Sequence, residues 1–281
     1  MLVNTKKMLK DADEGGYAVG GFNITGLESA IAIVEAAEAE KSPVILQISE
    51  KTIDYMGLDL VFSITKTLAD RTAVPAAIHF DHGRNFKLVE ESIDIGFSSI
   101  MLDVSQMPEK ERIPFVKKFS EKAHRRHVSV EVEEDQIGGR EDYVEGRGWK
   151  FTDPNRARQF VEATNCDAFA ISIGNSHGKA LPNEDFDLDL ISEIDKVVKP
   201  PLVLHGASST PEAKIKEAIK RGVRKINIDT DLRLAFNTQL RDTVAHDKDA
   251  YDPRKILSPT IPAIKKVVQE KIRLFGSNNR V

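Results

Sequence analysis

Short apolar runs alternate along the chain with longer stretches whose apolar residues recur every three to four positions. Runs of the first kind predict buried strands, and stretches of the second kind predict amphipathic helices. Thr5 to Glu14 predicts an opening helix stopped by Gly15-Gly16, and Tyr17 to Ile24 predicts a strand. Leu27 to Glu40 places Ala30, Ile31, Ile33, Val34 and Ala37 at helical spacing, ahead of a strand over Pro43 to Ser49. The alternation then continues: helix Asp59 to Asp70, a strand after Pro75, helix Lys87 to Gly96, strand Ser98 to Val104, helix Pro108 to Arg126 and strand Val128 to Glu134. Asp153 and Pro154 predict the cap and first position of a helix running to Thr164. After it come strand Ala168 to Gly174, helix Asp187 to Val197, strand Pro201 to His205, helix Pro211 to Arg221 and strand Lys225 to Asp229. The last helices cover Leu232 to Val244 and Pro262 to Phe275.

About eight strands, each followed by a helix, predict an α/β chain closed into a (β/α)8 TIM barrel with extra C-terminal helices. An open doubly wound sheet is the alternative, but its dinucleotide-binding form lacks a Gly-x-Gly-x-x-Gly after the first strand. No domain boundary is evident, so residues 1–281 read as one domain.

A barrel carries its chemistry at the C-terminal ends of its strands, and those ends are polar here. In order they present Asn23, Gln47 with Ser49, Asp81 with His82, Asp103 with Ser105, Glu131 with Glu133, His177, His205, and Asn227 with Asp229. Any one of these residues alone could cap a helix or fill a hydrogen bond. Three of them, however, are His-Gly pairs that each follow an apolar strand: His82-Gly83, His177-Gly178 and His205-Gly206. Three imidazoles and several carboxylates at one rim predict a cation that compensates them, with three neutral imidazoles suited to catalytic Zn²⁺ or a similar divalent ion. Asp103 and Glu133 are candidates for a second or alternative metal position. Of the seven histidines, His124, His127 and His246 fall on or beside helices away from that rim. His79, three residues before His82, is expected on the opposite side of its strand as a core or supporting residue.

The connection from Asp135 to Trp149 shows no clear periodicity and is glycine-rich, so it predicts a lid over the site that would carry Glu141. Gly206-Ala207-Ser208-Ser209 and Asn227-Ile228-Asp229-Thr230 each precede a helix, the arrangement of a barrel phosphate site.

Composition narrows the function classes. With 41% hydrophobic and 30% charged residues, 281 residues can bury a large core, and a net charge of -4 with pI near 6.0 gives no footprint for nucleic acid. Cys166 is the one cysteine, so no disulfide forms within the chain. Neither a signal peptide nor a membrane-length apolar run is present, and the expected location is the cytoplasm.

His79-Phe80-Asp81-His82-Gly83, Ser129 to Glu133, Gly138 to Asp142, Ser176-His177-Gly178, Leu204 to Ser208, Asn227 to Phe236 and Tyr251 to Lys255 together resemble the class II, metal-dependent ketose-bisphosphate aldolases, over essentially the whole chain and in order. The segments Asp229 to Phe236 and Asp252 to Lys255 look most like the fructose-1,6-bisphosphate members, with tagatose-bisphosphate aldolases as near neighbours. The resemblance implies that His82, His177 and His205 hold Zn²⁺, which polarises the C2 carbonyl and stabilises the enediolate left by C3–C4 cleavage. It implies Asp81 as acid/base at the C4 oxygen, Glu141 as the lid group moving the C3 proton, and Asn227 as hydrogen-bond donor to the enediolate. Asn23 and Ser49 are read as substrate-binding. Gly178, Gly206, Ser208, Asp229 and Thr230 match one phosphate site, beside which the family binds a monovalent cation, Na⁺ or K⁺. Arg254 matches the residue for the other phosphate, contributed by a neighbouring subunit, so a homodimer or homotetramer is implied. The expected partner is a small sugar phosphate, not nucleic acid or membrane.

The chain departs from the family pattern at Glu134-Asp135, where Leu-Gly is usual, at Gln106 and at Lys179. Two other function classes stay open. A Schiff-base aldolase would need a lysine at a strand end, where Lys179 is the one candidate, since Lys225 is expected at the wrong end of its strand. A noncatalytic barrel subunit would need no metal at all.

Overall fold

A computed structural model describes residues 1–141, 144–146, 150–178, 186–208 and 210–281, with the side chains of Arg140, Glu141 and 144–146 left out of the description. Its strands are β1 Val19–Asn23, β2 Val44–Ser49, β3 Ala76–Gly83, β4 Ser99–Asp103, β5 Ser129–Glu133, β6 Gly138–Glu141, β7 Val144–Gly146, β8 Ala168–Ala170, β9 Ser176–His177, β10 Leu202–Leu204 and β11 Val223–Ile228. Its helices are α1 Thr5–Gly15, α2 Leu27–Glu40, α3 Glu50–Met56, α4 Leu58–Arg71, α5 Phe86–Ile95, α6 Glu109–His124, α7 Pro154–Thr164, α8 Leu188–Asp195, α9 Glu212–Lys220, α10 Thr230–His246, α11 Pro253–Leu257 and α12 Thr260–Phe275.

Eight strands close a parallel barrel in the order β1-β2-β3-β4-β5-β8-β10-β11, and β11 returns to β1. This is the expected (β/α)8 architecture. A strand's side chains alternate between its two faces, which sorts each strand into an apolar set and a polar set. Ile78 and Phe80, Ile100 and Leu102, Val130 and Val132, and Ile226 and Ile228 face outward into the large core shared with the helices. The alternate positions fill the barrel. At its floor Val19, Ile45, Ala77, Ala168, Ala170 and Val203 pack against Met8, Leu9 and Ala12 of α1. The Thr5 hydroxyl reaches Ser129 Oγ at 2.7 Å and Ser99 Oγ at 3.0 Å, so α1 is pinned beneath the strands by hydrogen bonds as well as apolar contact.

The Asp153 cap and Pro154 start of α7 are as expected, with Asp153 Oδ1 accepting from Arg156 N at 2.8 Å. Two helices escaped the periodicity. α3 and α11 span 7 and 5 residues, too short to show a repeating face. The Asp135 to Trp149 connection, expected as an irregular loop, contains β6 and β7, which with β9 form a three-stranded sheet at the barrel mouth. Gly139 pairs with His177, and a side chain at Gly139 would lie 2.3 Å from His177 O. Strand β11 begins at Val223, so Lys225 lies inside the strand and not at its start.

Candidate active site and metal centre

The strand alternation that puts Ala77 in the barrel floor also turns His79 and Asp81 inward. His82 would then face outward, but its φ of 50° is left-handed and the β3–β4 register shifts between Phe80 and Gly83. The bulge re-aims the imidazole, so consecutive residues Asp81 and His82 both reach the mouth. His79 is therefore not on the opposite side from His82. It lies deeper in the same interior, with Nδ1 2.8 Å from Ser99 Oγ.

At the mouth the candidate ligand atoms of His82, Glu133, His177 and His205 all lie within 4.8 Å of one another, and all four residues are buried. His205 Nδ1 and His82 Nε2 stand 3.0 Å apart, and the three rings meet edge to face. Glu131 Oε1 lies 2.9 Å from His205 Nε2, and its other oxygen is 2.7 Å from Lys225 Nζ. A proton on Nε2 shared with Glu131 leaves the His205 Nδ1 lone pair aimed at the cluster. Asn175 Nδ2 donates to His205 O at 2.9 Å, tying the start of β9 to the end of β10.

Charge explains what such a cluster can hold. Burial, then the facing His82, drive the His177 imidazole down to about 3, and burial, His82 and Lys225 hold His205 well below its ordinary value, so both stay neutral ligands. Burial opposes a charge on His82 too, but Asp81, Asp103 and Glu133 outweigh it and raise its imidazole to about 10. Burial, then Asp103, push the Glu133 carboxyl well above the usual range. Among the described residues neither Glu133 oxygen nor His82 Nδ1 has a hydrogen-bond partner. The carboxyl groups of Asp81, Asp103 and Glu133 thus favour a positive charge at this point, and three buried imidazoles with Glu133 are a donor set that fits a divalent transition metal there.

Asp81 stands beside this cluster. Its Oδ2 accepts from Asn23 Nδ2 at 2.8 Å and its Oδ1 from Asn227 Nδ2 at 3.4 Å, while Gln47 Nε2 donates to Asn23 Oδ1 at 2.9 Å. Burial alone would raise its carboxyl, but His82, His205 and Lys225, with the Asn23 hydrogen bond, hold it below the ordinary value. It is thus a buried, ionised base with fixed orientation.

The family model for class-II fructose-bisphosphate aldolases matches residues 3–280. The chain belongs to the class II fructose-bisphosphate aldolases. It is 42% identical over 282 residues to the fructose-bisphosphate aldolase of Staphylococcus aureus (strain Mu50) and to a probable fructose-bisphosphate aldolase of Bacillus subtilis (strain 168), each alignment covering 99% of both chains. Among solved structures, the YdjI aldolase of Escherichia coli K12 is similar with a TM-score of 0.88 and 31% identity, covering 100% of this chain and 99% of its own. Fructose-bisphosphate aldolase from Campylobacter jejuni, at 23% identity and a TM-score of 0.86, shares the fold.

In this aldolase the remaining site candidates fall into three places. Asn23, Ser49 and Asn227 line the mouth beside Asp81, with Ser49 also capping α3 through its contact to Thr52 N. Gly206, Ser208, Asp229 and Thr230 gather at the start of α10, where Ser208 Oγ lies 3.5 Å from Asp231 N and Asp229 pairs with Arg233 at 2.7 Å. Gly206 holds a φ of 64°, and a side chain there would lie 2.2 Å from Ser176 O, so this loop approaches the His177 strand as only glycine permits. Gly178 follows His177 with a φ of 90°. Arg254 stands apart on α11, fully exposed, with its guanidinium on Asp252. Asp103 lies beside the cluster and outside it, its Oδ2 3.6 Å from His82 Nδ1. The Glu141 side chain and Lys179 lie outside the described residues.

Three interior residues sit where the sequence reading did not place them: Gln47 and Glu131, expected at the rim, lie one layer below it, and Lys225, expected at the start of its strand, lies inside it beside Glu131. Their inward faces follow from strand alternation counted back from Ser49, Glu133 and Asn227.

Among the described residues no helix is long and apolar enough to cross a membrane.

Proposed function

We propose that this chain is a cytoplasmic, metal-dependent fructose-1,6-bisphosphate aldolase that reversibly yields dihydroxyacetone phosphate and glyceraldehyde 3-phosphate. The observation that carries the reading is the Asp81 carboxylate, buried and held by Asn23 and Asn227 against a cluster of three imidazoles and Glu133. His82, His177 and His205 would hold the divalent ion, Zn²⁺ first among candidates, with Glu133 beside them. When bound, that ion supplies Lewis-acid polarisation of the substrate's C2 carbonyl.

The chain's own groups account for the proton movements. Asp81 takes the proton of the C4 hydroxyl, the C3–C4 bond breaks to leave an aldehyde at C4, and the bonding pair moves into the C2–C3 enediolate. In condensation the same carboxyl returns the proton. Asn227 donates to the enediolate oxygen, and Glu141, carried by the hinged segment, protonates C3 to release dihydroxyacetone phosphate. Gly178, Gly206, Ser208, Asp229 and Thr230 bind one phosphate at the N-terminus of α10, with a monovalent cation alongside. Arg254 of a second copy binds the other phosphate in a homodimer or homotetramer.

A coupled cleavage assay on fructose and tagatose 1,6-bisphosphates, with and without chelator, tests this. Cleavage of the fructose ester, lost on chelation and restored by Zn²⁺ or Co²⁺, is expected. Full activity of metal-free protein would overturn the assignment, and preference for the tagatose ester would move the substrate to its C4 epimer.

A further inference from the structure

Resting on the metal reading above, the inference concerns what surrounds that ion. Two carboxylates, Asp103 and Glu133, are in register on adjacent strands, and their oxygens lie 3.6 and 3.7 Å from the same nitrogen, His82 Nδ1. By position either could hold a divalent ion. They are nevertheless treated differently by the chain. Glu133 has no hydrogen bond among the described residues, whereas Asp103 is fully engaged. Its Oδ1 accepts from Ser105 Oγ at 2.6 Å and Ser105 N at 3.1 Å, and its Oδ2 accepts from Arg84 Nε at 2.7 Å.

Arg84 is not there by chance of a surface rotamer. It follows the bulge at His82, and its backbone N and that of Asn85 donate to Glu50 Oε1 at 2.7 and 2.6 Å, fixing where the side chain starts. The Arg84 side chain is three-quarters buried and lies against a fully buried carboxylate. A divalent ion seated on Asp103 would have to displace this charge-assisted bond and then sit beside a fixed positive charge.

We propose that Arg84 is a built-in cation filling the place a second divalent ion would otherwise take beside Asp103. The chain therefore holds one ion, on the His82, Glu133, His177 and His205 cluster, and Asp103 is a positioning residue behind His82.

Metal content of the full-length chain, stripped and then equilibrated with Zn²⁺, tests this without reference to turnover. Wild type is expected to retain one Zn²⁺ per chain and Arg84→Met two, with the second site weaker in wild type by at least about tenfold, the scale on which groups around a metal tune affinity. Arg84→Met combined with Asp103→Asn should return to one. Arg84→Gln, similar in size and uncharged, serves if the methionine variant does not fold, and circular dichroism checks both. Two ions in wild type, or one in a folded Arg84 variant, would overturn the proposal while leaving the metal reading intact. No ion bound by wild type would instead remove the metal reading and this inference with it.

Discussion

Lys225 Nζ and Glu131 Oε2 meet 2.7 Å apart in the barrel interior, both side chains shut off from solvent. A lysine and a glutamate removed from water depend on each other for charge balance, and removing one partner of a buried pair typically costs about 3–5 kcal/mol. Lys225→Met is therefore expected to lower stability on that scale, measured by denaturant unfolding of the metal-free protein. Glu131→Gln, which keeps the shape and loses the charge facing His205, should weaken Zn²⁺ binding roughly 10- to 100-fold. Unchanged affinity would show that Glu131 does not orient His205. Because its ammonium is bound in this way, Lys225 is also expected not to form a Schiff base, and borohydride with substrate should leave it unmodified.

The two proposed proton carriers are separable. Asp81→Ala should reduce cleavage by about 10²–10⁴-fold, the usual worth of a positioned general base, yet retain exchange of the C3 proton of dihydroxyacetone phosphate. Glu141→Ala should lose that exchange. Equal exchange rates in wild type and the Glu141 variant, followed by tritium release, would exclude the lid carboxylate from its role.

How much of this was legible beforehand follows from what a linear pattern can carry. The barrel was, because eight apolar strands and their helices each leave a local signature. The rim was too: Asp81, His82, Glu133, His177, His205 and Asn227 all end strands, and the structure brings them together around one cluster. The depth of the next layer was not, since Gln47 and Glu131 read as rim residues and Lys225 as a strand start until the barrel closes around them. His79, expected on the side opposite His82, was misplaced because of what happens at His82 itself. Alternation alone points it outward, and a left-handed backbone at a non-glycine residue, which no composition signal announces, turns it in.

Arg254 tests assembly. Its side chain is 90% exposed and pairs with Asp252, and among the described residues of its own chain it has no other ion-pair partner. Arg254→Ala is expected to lower kcat/KM for the bisphosphate by about 10- to 200-fold, the kinetic equivalent of losing about 1.5–3 kcal/mol of charged hydrogen bonding, with metal content unchanged. Mixing it with His205→Ala should regenerate activity through hybrid dimers. A fully active monomer would refute a site shared between subunits.

Cys166 gives a pH test of the fold. Burial pushes its thiol up to about 12, well above that of a free cysteine. The raised value means the thiolate is scarce in the folded protein until strongly alkaline pH and far more abundant once the chain unfolds. At pH 8 the thiolate fraction is about 10⁻⁴ folded and about 10⁻¹ unfolded, by the usual titration relation. Labelling by a disulfide reagent at pH 8 should thus be slow in the native protein and fast in denaturant. Rapid native labelling would mean that the bottom of the barrel near Asp167 opens far more often than its packing implies.

The helix α1, with Met8, Leu9 and Ala12 against the floor and Thr5 hydrogen-bonded to Ser99 and Ser129, closes the barrel at its lower end. Lys225, Glu131 and His79 are buried between that floor and the layer of Asp81 and the imidazoles. A ligand seated at the mouth is expected to cover this layer, so its protonation should be held while the ligand stays. Rates of proton exchange at His79 and Lys225 should then fall with ligand residence time, making the buried layer a reporter of occupancy at the rim.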